Sequence, residues 1–209
     1  MNNCDGAFKN WPHVMEPKEP NGQLGSIDSV LKDVAACFEA YKVRYALIGG
    51  IATGIRSQIR ATEDIDFIVE LPQVILPQVL EHLRSLGFEL DVQKVIRCWN
   101  RDHMVVLFCR GVRVDWLKPV IPLYNHVITN ARAESGELGT VRIASPEGLI
   151  LTKLLAWRTQ DQADIERLLA ANRGQLDLDH VRSEWEAVGE PDDAKMKRLN
   201  EMLAEFYAK

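Results

Sequence analysis

The chain has 209 residues, enough for one full core with a small appended domain. Its 46% hydrophobic and 26% charged residues are ordinary for a globular protein, and no apolar run approaches the roughly 20 residues of a membrane span. A formal net charge of −5 argues against bulk electrostatic capture of nucleic acid.

Residues 1–25 are rich in Pro, Gly and Asn, show no signal-peptide pattern, and are expected to form an extended arm or a partly disordered lead, with Phe8 and Trp11 as the residues that could pin it to the surface. Ser26 caps a helix expected from Ile27 to Tyr41, in which Ile27, Val30, Leu31, Val34, Ala35 and Phe38 recur at the helical period. A short buried strand, Tyr45–Ile48, ends at the pair Gly49-Gly50. A short helix over Ile51–Ser57 and a strand over Asp64–Val69 follow. Pro72 opens a helix running to about Leu86, which Gly87 ends. Phe88–Val92 and Val95–Trp99 read as strands. Met104–Cys109 and Val112–Leu117 read as a hairpin turning at Arg110-Gly111. On its second arm Val112, Val114 and Trp116 share one face, and Arg113, Asp115 and Leu117 the other. Val141–Ala144 is one more short strand. From Ser145 the pattern turns helical, with Pro146 at a first helical position. Segments Gly148–Arg158, Asp161–Ala171, Leu178–Val188 and Ala194–Phe206 follow. The expected organisation is an arm over 1–25, an α/β unit over 26–144 and a helical region over 145–209.

The four cysteines, Cys4, Cys37, Cys98 and Cys109, have no paired spacing and read as buried free thiols in a reducing cytosol. The five histidines are scattered without zinc spacing. Lys94, Arg97, Arg101, Arg110, Arg113 and Lys118 crowd one segment. They form either a solvated hairpin face or a contact surface for a polyanionic acceptor.

The most informative stretch is Gly49–Glu70, GGIATGIRSQIRATEDIDFIVE. On a strand, Asp64 and Asp66 point to the same face. Two adjacent carboxylates repel unless a cation or a proton lies between them. Mg²⁺ suits such an all-oxygen pair, together with substrate phosphates. The glycines stand where a strand turns into a helix, and a helix N-terminus offers free N–H groups to phosphate. Asp115, mid-strand in VRVDWLK, is a third carboxylate if its strand lies beside Asp64 and Asp66. Three carboxylates at one sheet end would hold two Mg²⁺ ions, with Asp115 as ligand or general base. The plainer readings are a polar strand end, a tight glycine turn and a solvent-facing acid. A glycine pair or a lone Asp-x-Asp is weak by itself; the two in order, with a helix between, are stronger.

Gly49-Gly50 followed by Arg60-x-Thr62-x-Asp64-Ile65-Asp66 resembles the DNA polymerase β-type nucleotidyltransferase superfamily. The nearer likeness is to its AbiEii-like branch of small bacterial enzymes. Those carry a later Pro-Glu-x-Leu-Ile-x-x-Lys helix and spaced aspartates, matched here by Pro146, Glu147, Leu149, Ile150, Lys153, Arg158, Asp161 and Asp164. The resemblance spans about Ala46 to Leu169. It implies an α+β (α/β) fold with a mixed sheet flanked by helices, closed on one side by the C-terminal helical region. It also implies Asp64, Asp66 and Asp115 as metal-binding and catalytic residues, and Gly49 and Gly50 as triphosphate-binding backbone. Lys153 would be a further phosphate contact, the plain alternative being an exposed helix residue. Arg60 and Thr62 would contact phosphate or brace the loop, while Arg158, Asp161 and Asp164 read better as a structural ion-pair set. Ile51 and the Thr53-Gly54 pair stand where many relatives place a small polar residue and a His.

The implied activity is Mg²⁺-dependent transfer of a nucleoside monophosphate from an NTP to an acceptor. Acceptor classes are an RNA or tRNA end, a protein hydroxyl or a small molecule. Toxin–antitoxin pairing is common in the branch, so an antitoxin protein is one implied partner; the expected location is cytoplasmic, with no membrane partner. The competing readings are a nucleotide-binding or partner-binding module with this fold and little catalysis, and a structural domain with an incidental cleft.

Overall fold

The computed structural model describes residues 26–58, 61–136, 139–189 and 193–207. In chain order the elements are α1 (Ile27–Ala40), β1 (Arg44–Ile48), α2 (Gly49–Arg56), β2 (Asp64–Glu70), α3 (Leu76–Ser85), β3 (Phe88–Glu89), α4 (Val92–Arg101), β4 (Met104–Cys109) and β5 (Val112–Leu117). They continue as α5 (Pro122–Thr129), β6 (Arg132–Gly136), β7 (Gly139–Ile143), α6 (Pro146–Ala156), α7 (Thr159–Ala171), α8 (Leu178–Glu186) and α9 (Ala194–Tyr207). The arm over 1–25, with Phe8 and Trp11, lies outside the described residues, as does Arg60.

The strands form one mixed sheet in the order β3-β4-β5-β2-β1-β7-β6. The fold is therefore α+β, as expected. The pairs β2–β5 and β1–β7 are parallel, and β1–β2, β3–β4, β4–β5 and β6–β7 are antiparallel. Period-two alternation gives the two central strands distinct faces. On one face Tyr45, Phe67 and Trp116 are buried; Phe38 of α1 stacks against all three, and Trp99 of α4 meets Trp116 edge-on. The other face of β2 carries Asp64, Asp66 and Ile68, and α5 packs against β1 and β2. The buried apolar cluster runs on through Leu149, Ile150 and Leu154 of α6 to Leu199 and Met202 of α9. Among the described residues no helix is long and apolar enough to cross a membrane.

Ser26 caps α1 by accepting from the Ser29 N–H at 3.2 Å. The hairpin turns at Arg110 and Gly111, both at positive φ, with Cys109 opposite Val112.

Several boundaries differ from the sequence reading. Val95–Trp99 is helix, not strand. Asp91 caps α4 by accepting from the Lys94 N–H, and Val92, Val95, Ile96 and Trp99 recur at helical spacing that a short window mistakes for a strand. The strand after Gly87 shrinks to Phe88–Glu89. Helix α3 begins at Leu76 rather than Pro72, whose carbonyl instead accepts the Ile75 N–H in a turn. Helix α5 and strand β6 were not anticipated. Cys37 and Cys109 are buried free thiols, but Cys98 is only half-buried. Three side chains of the basic segment are paired with acids: Arg110 with Asp33 of α1, Arg113 with Asp115, and Arg101 with Asp102.

Candidate active site

The parallel register of β2 and β5 sets Asp66 directly opposite Asp115 and Asp64 opposite Arg113. Positions i and i+2 on each strand share a face, so Asp64, Asp66, Arg113 and Asp115 stand on one surface. Arg113 donates two bonds of 2.7 Å to the two Asp115 carboxylate oxygens. Such a bidentate fork is the strongest pairing a guanidinium makes with a carboxylate. The Thr62 hydroxyl donates to Asp64 Oδ1 at 2.8 Å and holds that side chain in place.

Asp66 is pressed against the turn that follows β1. Ile48 pairs with Asp66 across the antiparallel ladder, so the next residue, Gly49, lies beside the Asp66 side chain. Gly49 has φ +66°, and a Cβ there would stand 1.9 Å from Asp66 Oδ2. Both the left-handed backbone and the space require glycine. Gly50 is buried at the next position of α2, and the Thr53 hydroxyl donates back to the Gly49 carbonyl at 2.8 Å.

The electrostatics follow from burial and like charge. Desolvation, then Asp64, then Asp115, push the Asp66 pKa up to about 7. Asp115 is also raised by burial, against the opposing pull of Arg113. Asp66 at physiological pH is therefore poised between protonated and ionised. A group so perturbed, in a cluster of like charges, marks a functional-site candidate.

Helices α6 and α7 bring a second buried charged cluster close by. Ser145 caps α6 by accepting from the Gly148 N–H, with Pro146 at its first position. Trp157 ends α6 in the left-handed region at φ 52°, and Arg158 then starts α7. This sharp turn sets Lys153 opposite two α7 carboxylates. Its Nζ donates to Asp161 Oδ1 at 3.1 Å and to Asp164 Oδ2 at 2.7 Å. Arg167 and Gln160 also donate to Asp164 Oδ1. Lys153 is thus neither an exposed helix residue nor unengaged. Its charge still lowers the Asp66 pKa, and Arg158 lowers that of Asp115, so the two clusters sense each other.

Of the sequence-selected residues, β2 and β5 bring Asp64, Asp66 and Asp115 together, with Thr62 and Gly49 in direct support and Gly50 alongside. Lys153 approaches within a separate ion-pair set, and Arg60 is not described. The residue missed was Arg113. Its signal was present in VRVD, where alternation puts it on the Asp115 face.

The family model that matches this chain describes nucleotidyl transferases, which makes the protein an enzyme of the phosphorus-transferring class within the nucleotidyltransferase superfamily. Residues 28–201 match the family described as nucleotidyl transferase of unknown function (DUF2204), and the chain belongs to that family. No curated protein matches. Among solved structures, an antigenic nucleotidyltransferase-like protein from Paracoccidioides brasiliensis is 18% identical over 88% of this chain and 99% of its own, with TM-score 0.48. The antibiotic-resistance factor ANT(2'')-Ia is 15% identical over 87% of this chain and 97% of its own, with TM-score 0.48. A CCA-adding enzyme in complex with ATP is 14% identical over 83% of this chain and 50% of its own, with TM-score 0.36.

Proposed function

We propose that the protein moves a nucleoside monophosphate from an NTP to an acceptor hydroxyl, with Mg²⁺, at Asp64, Asp66 and Asp115. The observation that supports this most is the β2–β5 register. It places two carboxylates opposite each other and a third two residues away on the same face. Oxygen-only donors, like charges and an Asp66 pKa held near 7 suit a divalent hard cation. When bound, Mg²⁺ neutralises phosphate charge and lowers the pKa of an attacking hydroxyl. Two such ions are proposed.

The remaining work falls to the chain. The acceptor oxygen forms a bond to the α-phosphorus, the bond to the β-bridging oxygen breaks, and pyrophosphate leaves. The hydroxyl proton passes to a carboxylate of the cluster, in which Asp115 acts as metal ligand or as general base. Arg113 fixes the Asp115 carboxylate by its two-point grip, and Thr62 fixes Asp64. Positioning of this kind dominates phosphoryl chemistry. Gly49 and Gly50, opening α2 at the edge of the acid cluster, are the proposed triphosphate cradle, held by backbone N–H groups rather than by side chains. Lys153 is a phosphate contact in this reading only by exchanging Asp161 or Asp164 for substrate.

The acceptor is an RNA or tRNA end, a protein hydroxyl or a small molecule. The second matching block, Pro146 to Asp164, borders the acid cluster. That fits the AbiEii-like reading, within which a toxin role beside an antitoxin partner is one proposed alternative. The buried free thiols Cys37 and Cys109 fit a cytoplasmic setting.

The test is label transfer from each common NTP, labelled at the α-phosphate, into total cell extract with Mg²⁺, for wild type and Asp66→Asn side by side. Label reaching RNA, protein or a small molecule with wild type alone establishes the transfer and names the acceptor class. NTP binding that ignores both Mg²⁺ and Asp66→Asn would instead favour a binding module.

A further inference from the structure

Apart from the acid cluster, three potential metal donors converge between α5 and α8. His126 comes from α5; His180 and Glu184 are one helical turn apart on α8, and so share a face. One ligand atom from each of the three lies within 4.8 Å of the others, and all three residues are half-buried. His126 Nδ1 is 3.3 Å from Glu184 Oε1. A tetrahedral ion with bonds of about 2.0–2.1 Å has ligand–ligand edges of about 3.3–3.4 Å, so this pair already has the spacing of two zinc ligands. The His126 and His180 rings lie 4.3 Å apart between centroids, tilted by 41°, so the second imidazole is within reach and must turn about its side-chain bonds to aim its lone pair at the ion.

We propose that His126, His180 and Glu184 form a site for a borderline transition-metal ion, Zn²⁺ foremost, that ties α8 to α5. Two imidazoles and one carboxylate are a donor set that zinc takes with water in the fourth position, and half-burial leaves that position open to solvent. The hard Mg²⁺ ion of the acid cluster has little preference for imidazole, so the two sites select different ions.

The surroundings prepare the site. The Asn130 side-chain amide meets His126 Nε2 from one turn further along the chain. With the amide N–H donating to Nε2, a neutral ring carries its proton on Nδ1, toward Glu184. A half-turn of this exposed amide presents its carbonyl to an Nε2–H and leaves the Nδ1 lone pair for the ion. Such an outer partner orients many metal-bound histidines. On α8, Asp177 caps the helix through the His180 N–H at 2.9 Å, which fixes the backbone that carries the second imidazole. The buried Val181 and Trp185, beside His180 and Glu184, anchor the helix to the core.

The test uses the full, tag-free chain stripped of metal by chelation. Zn²⁺ is titrated by calorimetry, and Co²⁺ by its visible absorption, for wild type, Asp66→Asn, His126→Gln, His180→Asn and Glu184→Gln. The expected result, with Mg²⁺ in excess to fill the acid cluster, is one tight Zn²⁺ site, tetrahedral Co²⁺ bands and a raised melting midpoint in both wild type and Asp66→Asn. Affinity should drop on the order of 100-fold in each of the three α5/α8 variants. Circular dichroism of the metal-free variants identifies any that fail to fold, and the other two then carry the comparison. Absence of Zn²⁺ binding in wild type overturns the site, as does binding lost only with Asp66→Asn or equal affinity in all folded α5/α8 variants.

Discussion

Two buried charge clusters lie near each other in this protein, and they differ in how their charges balance. Between α6 and α7, Lys153 sits between Asp161 and Asp164, and Arg167 adds a second cation on Asp164. Between β2 and β5, Asp64, Asp66 and Asp115 have, among the described residues, one direct ion pair, that of Arg113 with Asp115. The first is closed: each carboxylate has a cation and hydrogen bonds. The second is short of positive charge among the described residues, and its like charges add to the burial that chiefly raises the Asp66 pKa. A balanced cluster braces a fold, whereas an unbalanced one creates a demand that a cation or a proton must meet.

The sharpest way to break the comparison is through activity. Asp66→Asn should lower transfer on the order of 10³-fold in a label-transfer assay, while leaving the far-UV circular dichroism unchanged. Next, Lys153→Met should destabilise the fold by about 3–5 kcal/mol, because it leaves the buried Asp161 carboxylate without its cation and takes one of two cations from Asp164. Urea denaturation reads this directly, and a loss below about 1 kcal/mol would deny that the α6–α7 cluster is a brace.

The unbalanced cluster makes the opposite prediction. The Asp66 pKa is raised from 3.8 to about 7, so its contribution to stability is complete below about pH 4 and is lost as pH rises through 7. In Mg²⁺-free buffer, Asp66→Asn should therefore be more stable than wild type at pH 8, by up to about 4 kcal/mol, and the gap should close toward pH 4. Adding Mg²⁺ at pH 8 should narrow it. Urea midpoints across that window, with and without Mg²⁺, decide the matter. Smaller again, Gly49→Ala should cost about 1–3 kcal/mol through its positive φ, and should also lower transfer because its methyl displaces Asp66 Oδ2. The mildest change is Thr62→Val, which frees Asp64 and should cost about 0.5–1.5 kcal/mol of stability with a modest rise in the Mg²⁺ requirement.

Much of the site was legible because its signals are local. Alternation along DIDFIVE and VRVDWLK puts the acids on one face of each strand whatever the partner strand is, and Gly49-Gly50 marks a strand-to-helix turn by residue type alone. Helix α4 was misread because five residues of apolar alternation cannot separate a strand from one edge of a helix, and its decisive cap at Asp91 lies outside that window. Lys153 was read as an exposed residue or a phosphate contact. Its true partners lie on the next helix, across a left-handed turn at Trp157 that no residue type announces. The histidines looked scattered because His126 and His180 are 54 positions apart (180 − 126), and only the packing of α5 and α8 makes them neighbours.

The sequence alone determined the α+β class, the acidic pair on its strand, the third acid, the glycine turn and the helical C-terminal region, since each depends on short-range sterics and periodicity. Only the tertiary structure decided that β5 lies parallel beside β2 with Asp66 opposite Asp115. It also decided that Gly49 must yield its side-chain space to Asp66, that Arg113 grips Asp115, and that two histidines and a glutamate meet between α5 and α8. The reason is physical: strand pairing and helix packing are chosen by burying one continuous apolar core, a property of the whole chain that no short segment contains.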